Sequence, residues 1–302
     1  MRAAAILGPG ASPQHLRAFQ EHSTATWLSG VPVNTDAADA VLIFGGDGTA
    51  HRYLADLVRL RLPVLVVPCG SGNDFARALG LGKVRDALAA WRRFLADGSN
   101  VRAIDLGVIT PLAGRDGGAA PAPHRHYFST VAGIGLDSEV ARRANRLPRW
   151  LRGNGGYALC LLPALLNYTP VLAQITLPGP KSAPAVPGRG VPIFLAAFAN
   201  APAYGGGMKI APGARLDDGK LDVCVIHEID KGKLFCLFPT VYFGNHLNFA
   251  EVEYFQTERL ELKTEGSLEV YADGEYVCRT PIEVGVAAGA LRIIAPHPRT
   301  TG

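Results

Sequence analysis

The sequence lacks several features that would assign it to a large class of proteins at once. No segment reaches the roughly 20 apolar residues of a membrane-spanning helix, although 48% of the 302 residues are hydrophobic. The apolar part of the N-terminus is too short for a signal peptide. The net charge of +4 is far from the basic footprint of a nucleic-acid-binding protein. We therefore expect a cytoplasmic protein with no nucleic-acid partner, at most peripheral on the inner face of the membrane.

Cysteine is also scarce, with five residues in the whole sequence. These cysteines are widely spaced and mostly lie inside apolar runs, and no Cys-x-x-Cys pair occurs, which disfavours a disulfide framework or a metal cluster. We expect reduced, buried thiols. The sequence contains neither a Walker A motif nor a protein-kinase catalytic loop.

Two glycine-rich segments, each after a run of strand-forming residues, organise the first third of the chain. The first is VLIFGGDGT at 41–49, and the second is VLVVPCGSGND at 64–74. Short apolar runs that end at glycine indicate strands of a parallel sheet, and a helical pattern follows each one. Glycine lets the backbone approach a ligand, and the first turn of a helix offers free N–H groups to an anion. The pair predicts a polyphosphate site at the edge of an open α/β sheet.

Backbone amides and small hydroxyls must hold the phosphates if this interpretation is right. A tight hairpin turn is the alternative for the first segment, but a hairpin needs a second strand at once, whereas a helical pattern follows. The predicted nucleotide-binding residues are Gly45, Gly46, Asp47, Gly48, Thr49, Ser71, Gly72, Asn73 and Asp74.

The character of the sequence changes near residue 100. Many short strand-like runs with Gly, Pro and Asp turns follow, which is typical of a β-sandwich. We predict an α/β nucleotide-binding domain over 1–100 and a β-sandwich domain over 101–302, with helical inserts at 138–168 and 231–242. The predicted strands of the second domain are 103–109, 127–131, 172–177, 193–199, 221–227, 252–255, 258–262, 268–271, 282–284 and 291–294.

An ordered set of motifs resembles the diacylglycerol kinase-type catalytic domain of lipid kinases, especially its small bacterial members. The motifs are GGDGT at 45–49, PCGSGNDFAR at 68–77, IDLG at 104–107, AGIGLD at 132–137, GGGMKIAP at 205–212, LDDGKLD at 216–222 and YADGE at 271–275. The first motif is shared with NAD kinases, whereas the ordered set is specific and spans nearly the whole chain. The resemblance implies ATP-dependent phosphorylation of a lipid hydroxyl, in a cleft between the two domains.

Phosphoryl transfer needs a metal ion to neutralise the phosphate oxygens and a carboxylate to orient or deprotonate the attacking hydroxyl. By itself, the Asp273-Gly274-Glu275 triplet is typical of a hairpin turn. In the family this triplet reaches the nucleotide cleft, so the resemblance makes Glu275 the general base, with Asp273 beside it. Asp47 is the candidate partner, through water, of ATP-bound Mg²⁺.

The resemblance also implies a structural magnesium loop over 215–221. The side chain of Asp218 would bind the ion together with the carbonyl oxygens of Arg215 and Lys220. A plain hairpin with an Asp-Gly turn is the alternative.

The segment from Arg142 to Arg152 contains five arginines, which allow two interpretations. They form either an ordinary solvated face or a surface that docks reversibly on an anionic membrane, at about 1 kcal/mol per basic residue. Trp150 and the apolar 159–166 run follow closely. A lipid substrate at a membrane surface is thus the expected partner, and homo-oligomerisation stays open.

Three departures from the family pattern keep other functions open. Gly8 replaces the usual asparagine after the first strand, Arg52 replaces a frequent glutamate, and the 28–40 region is abbreviated. A catalytically weak lipid- or nucleotide-binding protein is therefore one alternative. An NAD kinase is another, but it leaves the matches at 73–74 and 273–275 unexplained.

Overall fold

The computed structural model describes residues 1–112, 125–146, 163–164, 168–178 and 190–296. Its strands are β1 (Arg2–Leu7), β2 (Thr26–Ser29), β3 (Ala40–Gly45), β4 (Val64–Pro68), β5 (Val101–Pro111), β6 (His126–Phe128), β7 (Val131–Gly135), β8 (Val171–Thr176), β9 (Val191–Ala199), β10 (Leu221–His227), β11 (Val252–Thr257), β12 (Arg259–Thr264), β13 (Glu269–Ala272), β14 (Glu275–Arg279) and β15 (Ile282–Ile294). Its helices are α1 (Pro13–Gln20), α2 (Asp47–Leu60), α3 (Asp74–Ala78), α4 (Val84–Asp97), α5 (Leu136–Arg146) and α6 (Lys231–Val241).

The first of two compact units comprises Met1–Asp105 and the C-terminal segment that begins at Gly289. Its strands pair in parallel in the order β4-β3-β1-β2. Every residue of β3 and β4 is buried, as expected for strands covered on both faces. The end of β15 adds to this sheet, where Ile293 pairs with Val64 in parallel.

The first unit differs from the sequence-based expectation in two places. The sequence predicted the domain as 1–100, but the strand end after Gly289 also belongs to this unit. The abbreviated region contributes the parallel edge strand β2, which was not predicted, and then only a single 3₁₀ turn at Thr35–Ala37. The edge strand is short and mostly exposed, so its sequence carries little hydrophobic pattern.

The second unit, Leu106–Ala288, is a β-sandwich built around β9. β9 pairs with β7 and β8 on one edge and with β10 on the other, all antiparallel. β13 joins β7 to β14, and β12 joins β8 to β15. One apolar core contains Phe128, Phe198 and Leu260, and a second lies where α5 and α6 cover a sheet face. The predicted fold class, an α/β domain followed by a β-sandwich, is confirmed.

One strand prediction was wrong, and one strand of the second unit was missed. The separate strands predicted at 282–284 and 291–294 are one strand, β15. The small residues between them, Gly285 to Ala290, hid its continuity because they give no alternating apolar pattern. β14 was missed, since most of its residues are exposed and its sequence EYVCR does not alternate.

Some predicted features lie outside the described residues. The predicted helical insert at 138–168 falls there after Arg146, except for residues 163–164 and 168. Among the helices that the structure describes, none has the length and apolar character needed to cross a membrane.

Candidate functional site

Three loops that follow parallel strands of the first unit pack directly against one another. They contain Gly10 after β1, Gly46 after β3 and Gly70 after β4. A Cβ atom on Gly46 would lie 3.0 Å from the Cα of Gly70, and one on Gly10 would overlap the carbonyl oxygen of Cys69. Glycine is required because the backbones themselves are in contact. The result is a strand-end edge with exposed backbone and few bulky side chains.

Gly8, which departs from the family pattern, packs against Thr49 in the first turn of α2. A Cβ on Gly45 would lie 2.5 Å from the Thr49 Cβ, and one on Gly8 would overlap the Thr49 side chain. With Thr49 in this position, only glycine fits at position 8. The second departure, Arg52, is an exposed residue of α2.

Asp47 connects the two glycine-rich segments. It is the first residue of α2, and its carboxylate accepts hydrogen bonds from the N–H groups of Asp74 (3.1 Å) and Phe75 (3.0 Å). These are amides of the first turn of α3, where a carboxylate is favoured by unpaired N–H groups and by the helix dipole. Asp47 therefore ties the loop after β3 to the loop after β4.

Asn73 shapes the second loop through its own backbone. It has a left-handed conformation with φ of 55°, its Oδ1 accepts from the Gly70 N–H at 2.9 Å, and its Nδ2 donates to the Gly70 carbonyl at 2.6 Å. The next residue, Asp74, is buried and forms an ion pair with Arg77. Ser71, between these groups, is exposed. The predicted nucleotide-binding residues of this unit thus share one edge, although ligand contact by any of them stays a prediction.

Asp273 is held by a dense set of hydrogen bonds in the second unit. Its Oδ2 accepts from the N–H (2.9 Å) and Oγ (3.2 Å) of Ser129, and its Oδ1 accepts from the N–H (2.8 Å) and Oγ1 (2.6 Å) of Thr130. Asp273 and Gly274 both have positive φ, 51° and 83°, as in a type I′ turn between β13 and β14. The triplet is therefore a hairpin turn whose orientation Asp273 fixes.

Glu275 follows this turn as the exposed first residue of β14. Ser129 and Thr130, on which the turn rests, are buried, and the buried Asn200 donates from Nδ2 to the Ser129 carbonyl at 3.1 Å. Sequence reasoning missed these three supporting residues. Asn200 is a polar residue directly after the apolar strand β9, which could have marked it as a structural or functional residue. The neighbouring sequence, however, does not indicate that it supports the turn at residue 273.

A small apolar pocket, with a cavity volume of about 30 Å³, lies in the second unit and is walled on one side by α6. Ten of its twelve lining residues are apolar, and the other two are Asp137 and Tyr204. The Tyr204 hydroxyl donates to Asp137 Oδ1 at 2.5 Å. Asp137 ends the AGIGLD motif, Tyr204 directly precedes the GGGMKIAP motif, and Gly133 leaves room for the Asp137 carboxylate. The pocket combines a hydrocarbon lining with one paired carboxylate.

The predicted metal loop contains a turn around Asp218. Its Oδ1 accepts from the N–H of Lys220 at 3.1 Å, and Arg215 forms an ion pair with Asp217. Nearby, burial and then the negative charge of Asp218 raise the pKa of Asp222, against the lowering effect of hydrogen bonds from Tyr254 and Gln256. The turn offers carboxylate and carbonyl oxygens, the ligands that Mg²⁺ prefers. Whether Asp218, Arg215 and Lys220 bind an ion stays a prediction.

The arginine-rich helix is only partly within the described residues. Arg142 and Arg143 both form ion pairs with Glu139, at 2.6 Å. Hydrogen bonds from Arg143 and Arg142 hold the pKa of Glu139 below its ordinary value, against the effect of burial. Arg149, Trp150 and Arg152 lie outside the described part. Arg142 and Arg143 are therefore engaged within their own helix.

Comparison with known proteins identifies the family. The diacylglycerol kinase catalytic domain matches residues 16–109, and the YegS C-terminal NAD kinase beta sandwich-like domain matches residues 130–295. A relative from Mycobacterium tuberculosis named diacylglycerol kinase is 34% identical over 259 residues, which cover 86% of this chain and 77% of the relative.

Solved structures show the same fold. A Bacillus anthracis str. Sterne protein assigned as a diacylglycerol kinase has a TM-score of 0.72 at 20% identity, over 98% of this chain and 95% of that chain. An NAD kinase from Archaeoglobus fulgidus in complex with ATP has a TM-score of 0.54 at 13% identity, over 98% and 94%. Together with the ordered motifs, these matches show that the chain belongs to the family of diacylglycerol kinase-type lipid kinases and is a lipid kinase.

Proposed function

We propose that this protein transfers the γ-phosphoryl group of ATP to the hydroxyl group of a diacylglycerol-like lipid. The observation that carries the proposal is the apolar pocket beside the Asp137–Tyr204 pair, in the same unit as Glu275. A pocket with this lining suits hydrocarbon, and a few polar groups at its wall can orient a hydroxyl or an ester. The name of the M. tuberculosis relative supports diacylglycerol as the first lipid to test.

The first unit supplies the features expected of a donor site. Its three packed loops expose backbone at the carboxyl ends of β1, β3 and β4, where ligands of open α/β sheets bind. Glycine at positions 46 and 70 lets these loops pack backbone against backbone, which brings their main-chain groups together at this edge. A similarly folded NAD kinase was solved in complex with ATP, which favours ATP as the donor.

Glu275 is the proposed general base. As the hydroxyl oxygen of the lipid attacks the γ-phosphorus, its proton passes to the Glu275 carboxylate, and the bridging oxygen leaves with ADP. The role of Asp273 is to orient the turn, because both of its oxygens already accept hydrogen bonds from Ser129 and Thr130. A base on an exposed strand end, fixed by a hydrogen-bonded turn, is positioned without reorganisation.

Magnesium fits two places in the chain. Asp47 holds the amides of Asp74 and Phe75, and its carboxylate is the kind of oxygen group that binds Mg²⁺ directly or through water. The Asp218 turn offers a carboxylate and backbone carbonyls. When bound, the ion would neutralise phosphate charge at the first place and stabilise the turn at the second.

NAD phosphorylation is the second candidate, because the fold is shared with NAD kinase. Against it, the pocket lining is almost entirely hydrocarbon, which gives a ribose and a second phosphate few partners.

The test is turnover of labelled ATP with short-chain diacylglycerol, other lipid alcohols and NAD as acceptors. We expect diacylglycerol-like alcohols to be phosphorylated, and Glu275→Gln to lower kcat by about 10²–10⁴-fold with nucleotide affinity nearly unchanged. Met208→Trp, which narrows the pocket, should raise KM for the lipid more than KM for ATP. Phosphorylation of NAD alone would refute the proposal, and a fully active Glu275→Gln variant would remove the base from the mechanism.

A further inference from the structure

Helix α6 is apolar on two opposite faces. Its inner face, with Leu234, Leu237 and Val241, is buried and walls the apolar pocket. Its outer face also carries large apolar side chains, since Phe235 is 59% exposed and Phe243, just after the helix, is 74% exposed. A surface helix of a soluble protein ordinarily turns polar residues to the outside. Burial in the core explains the apolar inner face of α6, but it does not explain the exposed apolar side chains on the outer face.

The exposed residues form one continuous stripe. Lys231, Phe235, Pro239 and Phe243 are spaced four residues apart, which places them along one side of a helix. The helical turn continues past the end of α6, because the N–H of Phe243 donates to the carbonyl of Thr240 at 3.1 Å. All four residues are exposed. We call this set the outer stripe.

Lysines lie at both ends of the outer stripe. Lys231 begins it, and the exposed Lys209 is fixed near its other end, where the Lys209 N–H donates to the Val241 carbonyl at 3.0 Å. Acidic residues also lie at the first end, where Asp230 caps α6 and Glu251 forms an ion pair with Lys233 at 3.1 Å. Aromatic side chains bordered by lysines match the boundary between acyl chains and anionic headgroups.

We propose that the outer stripe is the surface by which this protein docks on a lipid bilayer that contains anionic lipids. Phe235 and Phe243 insert at the level of the headgroups, and Lys209 contacts lipid phosphates. This proposal rests on the proposed function, because it places the pocket wall formed by α6 against the bilayer that holds the lipid substrate. It assigns docking to the aromatic stripe rather than to Arg142 and Arg143, which are paired with Glu139.

The test is sedimentation with vesicles of phosphatidylcholine, alone and mixed with phosphatidylglycerol. The variant Phe235→Ser/Phe243→Ser removes two exposed side chains and leaves the core intact. We expect its partition to mixed vesicles to fall by about tenfold or more, because most of the inserted apolar area is lost. The matched control is Val33→Ser, which removes an 85% exposed apolar side chain from the first unit and should change nothing.

Activity on two substrate forms separates this proposal from the proposed function. The double variant should phosphorylate a soluble short-chain diacylglycerol at the wild-type rate but long-chain diacylglycerol in vesicles much more slowly. Failure of wild type on the soluble lipid would refute the kinase proposal. Unchanged vesicle binding by the double variant would refute the docking surface. A second result would also refute it: a wild-type protein that is dimeric without lipid and a double variant that is monomeric. The outer stripe would then be covered by a second copy of the chain.

Discussion

The four hydrogen bonds on Asp273 allow its positioning role to be tested by stability. In Asp273→Asn one carboxylate oxygen becomes an NH₂ group that faces the N–H and hydroxyl of Ser129 or of Thr130. These residues are 0% and 1% exposed, so water cannot replace the lost acceptor at their amides. A hydrogen bond to a charged group contributes about 1.5–3 kcal/mol. The variant loses the hydrogen bond from one backbone N–H, whereas the hydroxyl of the same residue can rotate to another acceptor. We expect the free energy of unfolding to fall by about 2–4 kcal/mol.

The measurement is denaturant unfolding followed by circular dichroism, using the transition of the second unit if the two units unfold separately. Glu275→Gln is the matched control, because this exposed neighbour should change stability by less than about 0.5 kcal/mol while it lowers kcat. Asp273→Asn should lower both stability and kcat. An Asp273→Asn variant as stable as wild type would refute the view that this carboxylate holds the turn.

Three further predictions concern other parts of the molecule. Asp47→Asn should remove most magnesium-dependent activity and destabilise the first unit by about 1–3 kcal/mol, measured by magnesium titration and by denaturant unfolding. A variant that keeps both its activity and its stability would show that the metal binds elsewhere. Gly70→Ala should cost about 1–3 kcal/mol and raise KM for ATP, because its methyl group overlaps the backbone of Gly46; a neutral effect would contradict the close packing of the loops. Burial lowers the pKa of His246, against the effect of its hydrogen bond to the Ile210 carbonyl, so the unfolded chain binds the proton more readily. Stability should therefore fall as pH drops below about 6.5, and His246→Asn should flatten this part of the pH dependence of Tm.

The sequence was most informative where chemistry is local. The strand–glycine–helix order at 41–49 and 64–74 predicted the parallel strands β3 and β4 and the helices after them. Apolar runs and glycine indicate the backbone conformation of the segment in which they occur. The resemblance then identified the family from motifs in order. Both conclusions depend on residues close together in the chain.

The sequence was least informative where residues far apart meet. Asp273 bonds to Ser129 and Thr130 across more than 140 positions, and no local pattern encodes that contact. Asp47 was predicted as a metal partner, but its bonds to the N-terminal amides of α3 depend on the register of β3 against β4. The segment 231–242 was predicted only as a helical insert, and its apolar sequence did not indicate which residues would be exposed.

The pairing of β15 with β4 has a consequence for the order of folding during synthesis. The ribosome makes Val64 early, whereas Ile293 follows only after the whole second unit. Until then, the β4 edge of the first sheet has no β15 partner, and Asp105 lacks the Gly289 amide that it binds at 2.7 Å. An uncovered edge of buried-type strands can pair with other chains. The first unit, although it is synthesised first, should therefore need chaperone protection until the end of the chain has been made. A protein truncated before residue 289 should aggregate.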